Sequence, residues 1–317
     1  MREEGYVAAD TLARIKASAK KLGYRPNRAA RGLKMGRLQE IVLVIWSIEA
    51  MGEASELYMG KIRALDSILR KAGLPLTIRI EGEGGSVDFP EKLVEDLETD
   101  RPAGVAFFST DLRILQKVIQ RLETAEIATV VLDELGKGNF DNIMVDRGAG
   151  IKEALQHLYE TGKRRIYFVG PDDAANRLQG YEEGISELGL KPYYHYLSHV
   201  GKCELLFQQG RHAARNLMNL ENPPDAVITY SDPVALGMLD IFKENNLKIP
   251  EQIAIVGFDD KQAAVLCHPR LTTIAHPNVE LGMAAGEVLL KKIRREKPPE
   301  GGWSRLIPAK LVIREST

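Results

Sequence analysis

Short apolar runs and longer amphipathic stretches alternate along most of this chain. The runs "IVLVIW" (41–46), "LTIRI" (76–80), "GVAFF" (104–108) and "ATVVL" (128–132) predict strands. Between them, near 57–72, 89–98 and 112–125, apolar residues return every three or four positions. That is the spacing of a helix with one buried face. The first run is apolar at every residue, as a strand covered on both faces must be. The rhythm restarts with strands "RIYFVG" (165–170), "YYHYL" (193–197), "DAVIT" (225–229) and "IAIVGF" (253–258). Helical patterns near 148–161, 176–188, 204–219 and 233–246 separate these. Repeated strand–helix units predict parallel sheets with right-handed crossovers. Two rounds of them predict an α/β fold of two doubly wound parallel-sheet subdomains with a cleft between.

Such sheets bind ligands beyond the carboxyl ends of their strands. Arg177 follows the strand 165–170, Ser231 and Asp232 follow 225–229, and Asp259 and Asp260 follow 253–258. Three polar clusters at three strand ends can converge on one small polar ligand. Asp232, before "PVALG", reads mainly as a helix N-cap with proline at the first helical position. Arg177 and Asp259 fit a cap less well.

The charge pattern adds a second function. Residues 11–37 hold nine Lys or Arg and no Asp or Glu. Residues 1–40 carry ten basic and four acidic side chains, a net of +6, within a chain whose formal net charge is −1. A positive head on a mildly acidic body is suited to a polyanion. Leu12, Ile15, Ala19 and Leu22 predict an amphipathic helix that Gly23 ends. Pro26 blocks helix at Arg25, and Asn27 can cap a second short helix, "RAARGLKM", closed by Gly36. That helix is below the ~12–15 residues needed for stability alone in water. Leu33 is a large apolar side chain on this short basic helix.

Other function classes find little support. No 18-residue apolar window predicts a membrane span, and "MREEGYVAAD" has no apolar core of a secretion signal. The two cysteines, Cys203 and Cys267, make neither a disulfide framework nor a C-x-x-C zinc site, so a reducing cytoplasm is the expected compartment. His195, His199 and Cys203 sit four apart, but that spacing aligns metal ligands only on a helix, and this region reads as strand and loop. The glycine-dense "EGEGGS" (81–86) is not a dinucleotide fingerprint, and there is no phosphate-binding loop or nucleophile elbow. No cofactor or metal is expected, and a binding protein is favoured over a catalyst.

Six collinear segments carry a resemblance. "TLARIKASAKKLGYRPNRAARGL" resembles the end of the DNA-binding headpiece and the hinge helix of the lactose-repressor/galactose-repressor (LacI/GalR) family. "DNIMVDRGAGIKEALQHLYETGKRRIYFVGP", "YSDPVALG", "IPEQIAIVGFDD", "HPRLTTIAHPNVELGMAA" and "LIPAKLVIREST" resemble that family's later landmarks, in order. The resemblance implies a DNA-binding, ligand-responsive regulator of the cytoplasm. Its partners would be operator DNA, a small polar effector such as a sugar, and a second copy of the chain. It implies a headpiece remnant and hinge over 1–37 and an N-terminal effector-binding subdomain over 38–146, to which about 276–301 return. A C-terminal subdomain would span 147–275 with about 302–317. By the same resemblance Leu33 matches the hinge leucine that wedges into the minor groove. Arg25, Asn27, Arg28, Arg31 and Lys34 would hold phosphates or the groove edge. Arg177, Asp259 and Ser231 match effector contacts, with Ser231 where the family often has asparagine.

Two departures stand out. The chain opens after the two helices with which the family headpiece starts, the second of which reads bases in the major groove. After the first strand, "WSIEAMGEASELYMG" replaces a familiar proline-containing loop and offers Glu49, Glu53 and Glu56 on what reads as a longer loop. The rival readings are a metabolite sensor without sequence-specific DNA binding and a solute-binding protein for transport.

Overall fold

The computed structural model describes residues 38–46, 48–81, 90–108, 112–132, 140–172, 174–197 and 203–317, with positions 11, 14 and 18 in addition. The expectations for Arg25, Asn27, Arg28, Arg31, Leu33 and Lys34, and for His199, lie outside the described residues.

The first half builds strands β1 (Leu38–Trp46), β2 (Leu76–Glu81), β3 (Pro102–Phe108), β4 (Ala128–Leu132) and β5 (Asn142–Asp146). Helices α1 (Ile48–Lys71), α2 (Glu91–Asp100) and α3 (Leu112–Thr124) lie between them. The second half supplies α4 (Arg147–Glu160), β6 (Ile166–Gly170), α5 (Ala175–Glu187), β7 (Tyr193–Tyr196), α6 (Cys203–Met218), β8 (Ala226–Thr229), α7 (Asp232–Glu244) and β9 (Ala254–Asp259). The chain closes with α8 (Ala263–Leu266), β10 (Thr272–Ala275), α9 (Asn278–Ile293), β11 (Arg305–Pro308) and β12 (Lys310–Val312).

Among the described residues two six-stranded sheets result, in the orders β11-β5-β4-β3-β1-β2 and β12-β10-β9-β8-β6-β7. All pairings are parallel except β10 with β12. The all-apolar β1 is sandwiched as its pattern requires. Val42 and Val44 pack with Val94, Leu97, Val118 and Leu122 of α2 and α3. Ile41, Leu43 and Ile45 pack with Leu65 and Leu69 of α1 and Leu289 of α9. Each such side chain, fully removed from water, contributes about 1.5–3 kcal/mol before conformational entropy is counted.

Two expectations need correction. The stretch after β1 is not a longer loop, because its backbone is helical from Ile48 onward. Its Glu, Ala, Leu and Met residues are good helix formers and it contains no proline. The final return is also later than residue 302. Arg305–Pro308 pairs in parallel with β5, Pro308 opposite Asp146, so the last stretch of the first sheet runs to Pro308. Ala309, whose N–H donates to the Asp146 carbonyl at 3.0 Å, is where the chain passes to β12 of the second sheet.

The chain therefore passes between the sheets three times. Asp146 leads from β5 into α4, which packs on α5. The Asp146 carboxylate caps that helix by accepting from the Ala149 N–H at 2.9 Å. His276 and Pro277 lead from β10 into α9, which packs along α1. Ala309 makes the third crossing.

Helices α6 and α7 approach so closely that a Cβ on Gly237 would lie 2.0 Å from the Phe207 carbonyl oxygen. Backbone cannot yield as a side chain can, so Gly237→Ala is expected to lower stability by about 1–3 kcal/mol. A urea melt, with the midpoint lowered and the slope unchanged, checks this.

Candidate functional site

The strands of the second sheet end on a common edge. Arg177 lies in the first turn of α5, after β6, and its guanidinium is stacked between two rings. The Tyr230 ring, just after β8, is 4.4 Å away, and the Phe258 ring, in β9, is 4.2 Å away. Two aromatic faces stabilise the cation and hold the planar fork in one orientation. Asp259, the last residue of β9, faces it with Oδ1 3.7 Å from an Arg177 terminal nitrogen. That is an ion pair too long for a direct hydrogen bond.

The same Oδ1 is 3.1 Å from Nε2 of His276. The His276 ring stands nearly edge-on to Phe258, with centroids 5.4 Å apart at 73°. Burial pushes the Asp259 carboxyl up, but the His276 hydrogen bond and the charges of His276, Arg177 and Lys261 outweigh it. Asp259 is thus held below the usual carboxylate range, as a buried, charged acceptor. Its φ of +109° lies outside the ordinary region for a side-chain-bearing residue. Such strain collects where surrounding contacts fix a functional side chain.

The neighbouring carboxylates face elsewhere. Asp260 takes an Arg314 terminal nitrogen at 2.6 Å and so points to the chain's end. Asp232 is not the cap expected of it. Ser231 occupies the N-cap position, and the fully buried Asp232 carboxyl meets the Thr273 hydroxyl at 2.5 Å and the Lys261 N–H at 2.7 Å. It ties β8 to β10 and to the turn after β9. Gly257 makes room for it, since a Cβ there would lie 2.2 Å from its Oδ1. Burial, then the charge of Asp259, pushes the Asp232 carboxyl up to about 8, which favours its neutral form near pH 7. Ser231 is 3% exposed, and its hydroxyl has no hydrogen-bond partner among the described residues.

In the first sheet, Phe108 ends β3 at the carboxyl edge, 5.0 Å from the Tyr58 ring. Lys61 is 2% exposed, with its ammonium 5.7 Å from the Tyr58 centroid and 5.9 Å from the Phe108 centroid. Asn278, at the start of α9, lies against Gly60.

The structure thus brings Arg177 and Asp259 together and places Ser231 beside Tyr230, which covers Arg177. Sequence reasoning missed His276 and Lys61. For His276 a signal exists, a titratable residue before proline between strand and helix. That signal depends on β10, whose residues "TTIA" carry no strand period of their own. Lys61 carries no such mark, being one charge on an amphipathic helix. Cys203 opens α6 and His195 sits half-buried on β7, in separate elements.

Residues 155–317 match the model of a periplasmic binding protein-like domain, about half of the chain. The chain is 28% identical to the HTH-type transcriptional repressor CytR of Escherichia coli, over 98% of this chain and 89% of that protein. The chain belongs to the LacI/GalR family. The transcriptional regulator CelR of Thermobifida fusca is 29% identical, over 98% of this chain and 90% of that one. A solved CelR–cellobiose complex superposes with a TM-score of 0.70 at 25% identity, over 99% of this chain and 92% of that chain. The Lac repressor dimer bound to operator and the anti-inducer ONPF has a TM-score of 0.73 at 22% identity, covering 93% and 99%, and shares the fold. A LacI/GalR member is a ligand-responsive transcriptional regulator.

Proposed function

We propose that this LacI/GalR member is a cytoplasmic homodimer whose effector is a small hydroxyl-rich metabolite of the sugar class, held by Arg177, Ser231 and Asp259. The observation that carries this reading is the stacked Arg177 guanidinium facing a charged, buried Asp259 at the carboxyl edge of the second sheet. A planar fork of donors beside a fixed acceptor suits vicinal hydroxyl groups, each of which donates and accepts. The unpartnered Ser231 hydroxyl adds a third polar contact. Cellobiose in the CelR complex, and ribose in a solved LacI-family regulator from Enterococcus faecium, support the sugar class.

Two half-sites on operator DNA call for a two-fold dimer. Effector binding shifts the population of subdomain angles, and with it the spacing of the two hinges. Leu33 wedges into the minor groove, while Arg25, Asn27, Arg28, Arg31 and Lys34 hold the backbone beside it. Screening sugars, sugar acids, polyols and nucleobases by thermal shift is expected to reveal a stabiliser among the hydroxyl-rich compounds. A screen in which only compounds without hydroxyls stabilise would overturn the assignment of the class.

On the DNA side, Leu33→Ala is expected to weaken operator binding and reduce operator bending while leaving the melting temperature of the free protein unchanged. Electrophoretic bending assays and calorimetry check the two halves. A drop of several degrees in the free protein would mean that Leu33 packs in a core.

A further inference from the structure

The His276–Asp259 contact joins a ligand-facing carboxylate to a segment that crosses between subdomains. Asp259 ends β9, on the wall of the second sheet, while His276 is the first residue of the linker from β10 to α9. That linker is short and taut. Asn278 donates its N–H to the His276 carbonyl at 2.8 Å, opens α9, and lies against Gly60 of α1 in the other subdomain. Helix α9 then packs along α1, so His276 stands at the head of a segment tied to the first subdomain.

One oxygen, Oδ1 of Asp259, serves both Arg177 at 3.7 Å and His276 at 3.1 Å. Both partners also touch one ring. Phe258 meets the guanidinium on its face at 4.2 Å and the imidazole at 73°. A ligand hydroxyl that donates to Asp259 must share this oxygen with them or pull the carboxylate from the imidazole. In either case the change at Asp259 reaches the crossing.

We propose that His276 is a positioning residue that converts effector occupancy at Asp259 into the angle between the two subdomains, by gripping the carboxylate from the β10–α9 crossing. The inference rests on the regulator reading for its effector, but not for its geometry. In the ligand-free protein the grip already biases the subdomain angle. An effector shifts the angle by competing for the grip, since a ligand moves an equilibrium only through contacts that differ between its two states. His276 need not touch the effector.

The test has two arms on the full chain. In the ligand-free arm, small-angle scattering compares the parent with Asp259→Asn, His276→Ala, the double variant and His276→Gln. The two single changes are expected to shift the radius of gyration in the same direction. The double variant should shift it no further than either alone. Glutamine carries an N–H at the same bond count from Cβ as Nε2 and is expected to restore the parent value. An unchanged radius for His276→Ala, or additive shifts in the double variant, overturns the proposal.

In the second arm, a cleft ligand from the thermal-shift screen is titrated into parent and His276→Ala. The ligand-induced change in radius is expected to be lost and to return with glutamine, while affinity changes by far less than the roughly hundredfold expected of an Asp259 variant. A loss of affinity matching that of an Asp259 variant would make His276 a ligand contact and overturn the proposal. If the screen yields no cleft ligand, the sugar reading fails, and the ligand-free arm still decides the role of His276.

Discussion

Alanine in place of Asp259 is expected to lower effector affinity at least a hundredfold, about 2.7 kcal/mol. The carboxylate is a buried acceptor that its surroundings hold charged, and among the described residues its neighbouring carboxylates are turned elsewhere. Asp260 is engaged by Arg314, and Asp232, whose neutral form burial favours, is turned toward Thr273. At a ligand concentration one hundred times the parent's dissociation constant, the parent gains about 2.7 kcal/mol of stability. The variant should gain almost none of it. Asp259→Ala also leaves the Arg177 cation without its counter-charge and His276 without its acceptor, so the ligand-free variant should melt lower than the parent. Arg177→Ala should lose affinity comparably while costing the ligand-free protein less, because Asp259 keeps His276. Isothermal titration separates affinity from stability. Affinities for a proven cleft ligand within about twofold, under ~0.5 kcal/mol, in both variants would remove both residues from the site.

The sequence made the architecture legible because buried strands and amphipathic helices have different periods. The all-apolar 41–46 and the alternation through 258 placed eight strands and the helices between them. Four strands were too short or too mixed to register. "RLIP" and "KLV" have too few residues for a period to show, and "TTIA" and "NIMVD" hide their burial behind threonine and asparagine. Those strands flank the three crossings, so the path between subdomains was the least readable part of the fold. The site shows the same division. Arg177 and Asp259 were placed by strand ends, a rule about topology. The partnership of Asp259 with His276 depends on where β10 lies, and no local pattern carries it. Asp232 failed for a related reason. Its position before proline has the local form of a cap, yet a glycine in β9 and a threonine in β10 create a buried niche that only the tertiary structure reveals.

That niche gives the second large effect. The folded protein raises the Asp232 carboxyl to about 8, whereas the unfolded chain leaves it near the ordinary value of about 4. Between those limits the folded state holds a proton that the unfolded state has released. Stability from this group is therefore complete below about pH 4, falls as pH rises toward 8, and levels off above it. The slope is on the order of 1 kcal/mol per pH unit through the middle of the window. Asp259 works in the opposite sense and in another range. Its lowered carboxyl adds stability that is lost only as pH falls through the acid region, so the two contributions do not overlap near neutrality.

Asp232→Asn isolates the Asp232 effect. The amide oxygen can accept from the Lys261 N–H, and the amide nitrogen can donate to the Thr273 hydroxyl, as a protonated carboxyl would. The variant is expected to resemble the parent most closely near pH 5 and to become progressively more stable than it up to about pH 8, with the gap constant beyond. Urea midpoints at intervals from pH 5 to pH 9 measure that gap directly, and histidine titrations common to both proteins cancel in the difference. Parallel stability curves for the two proteins across this range would mean that Asp232 is already ionised in the fold. The Thr273 and Lys261 contacts would then be stabilising a buried carboxylate, not a neutral acid, and the separation of its charge state from that of Asp259 would not hold.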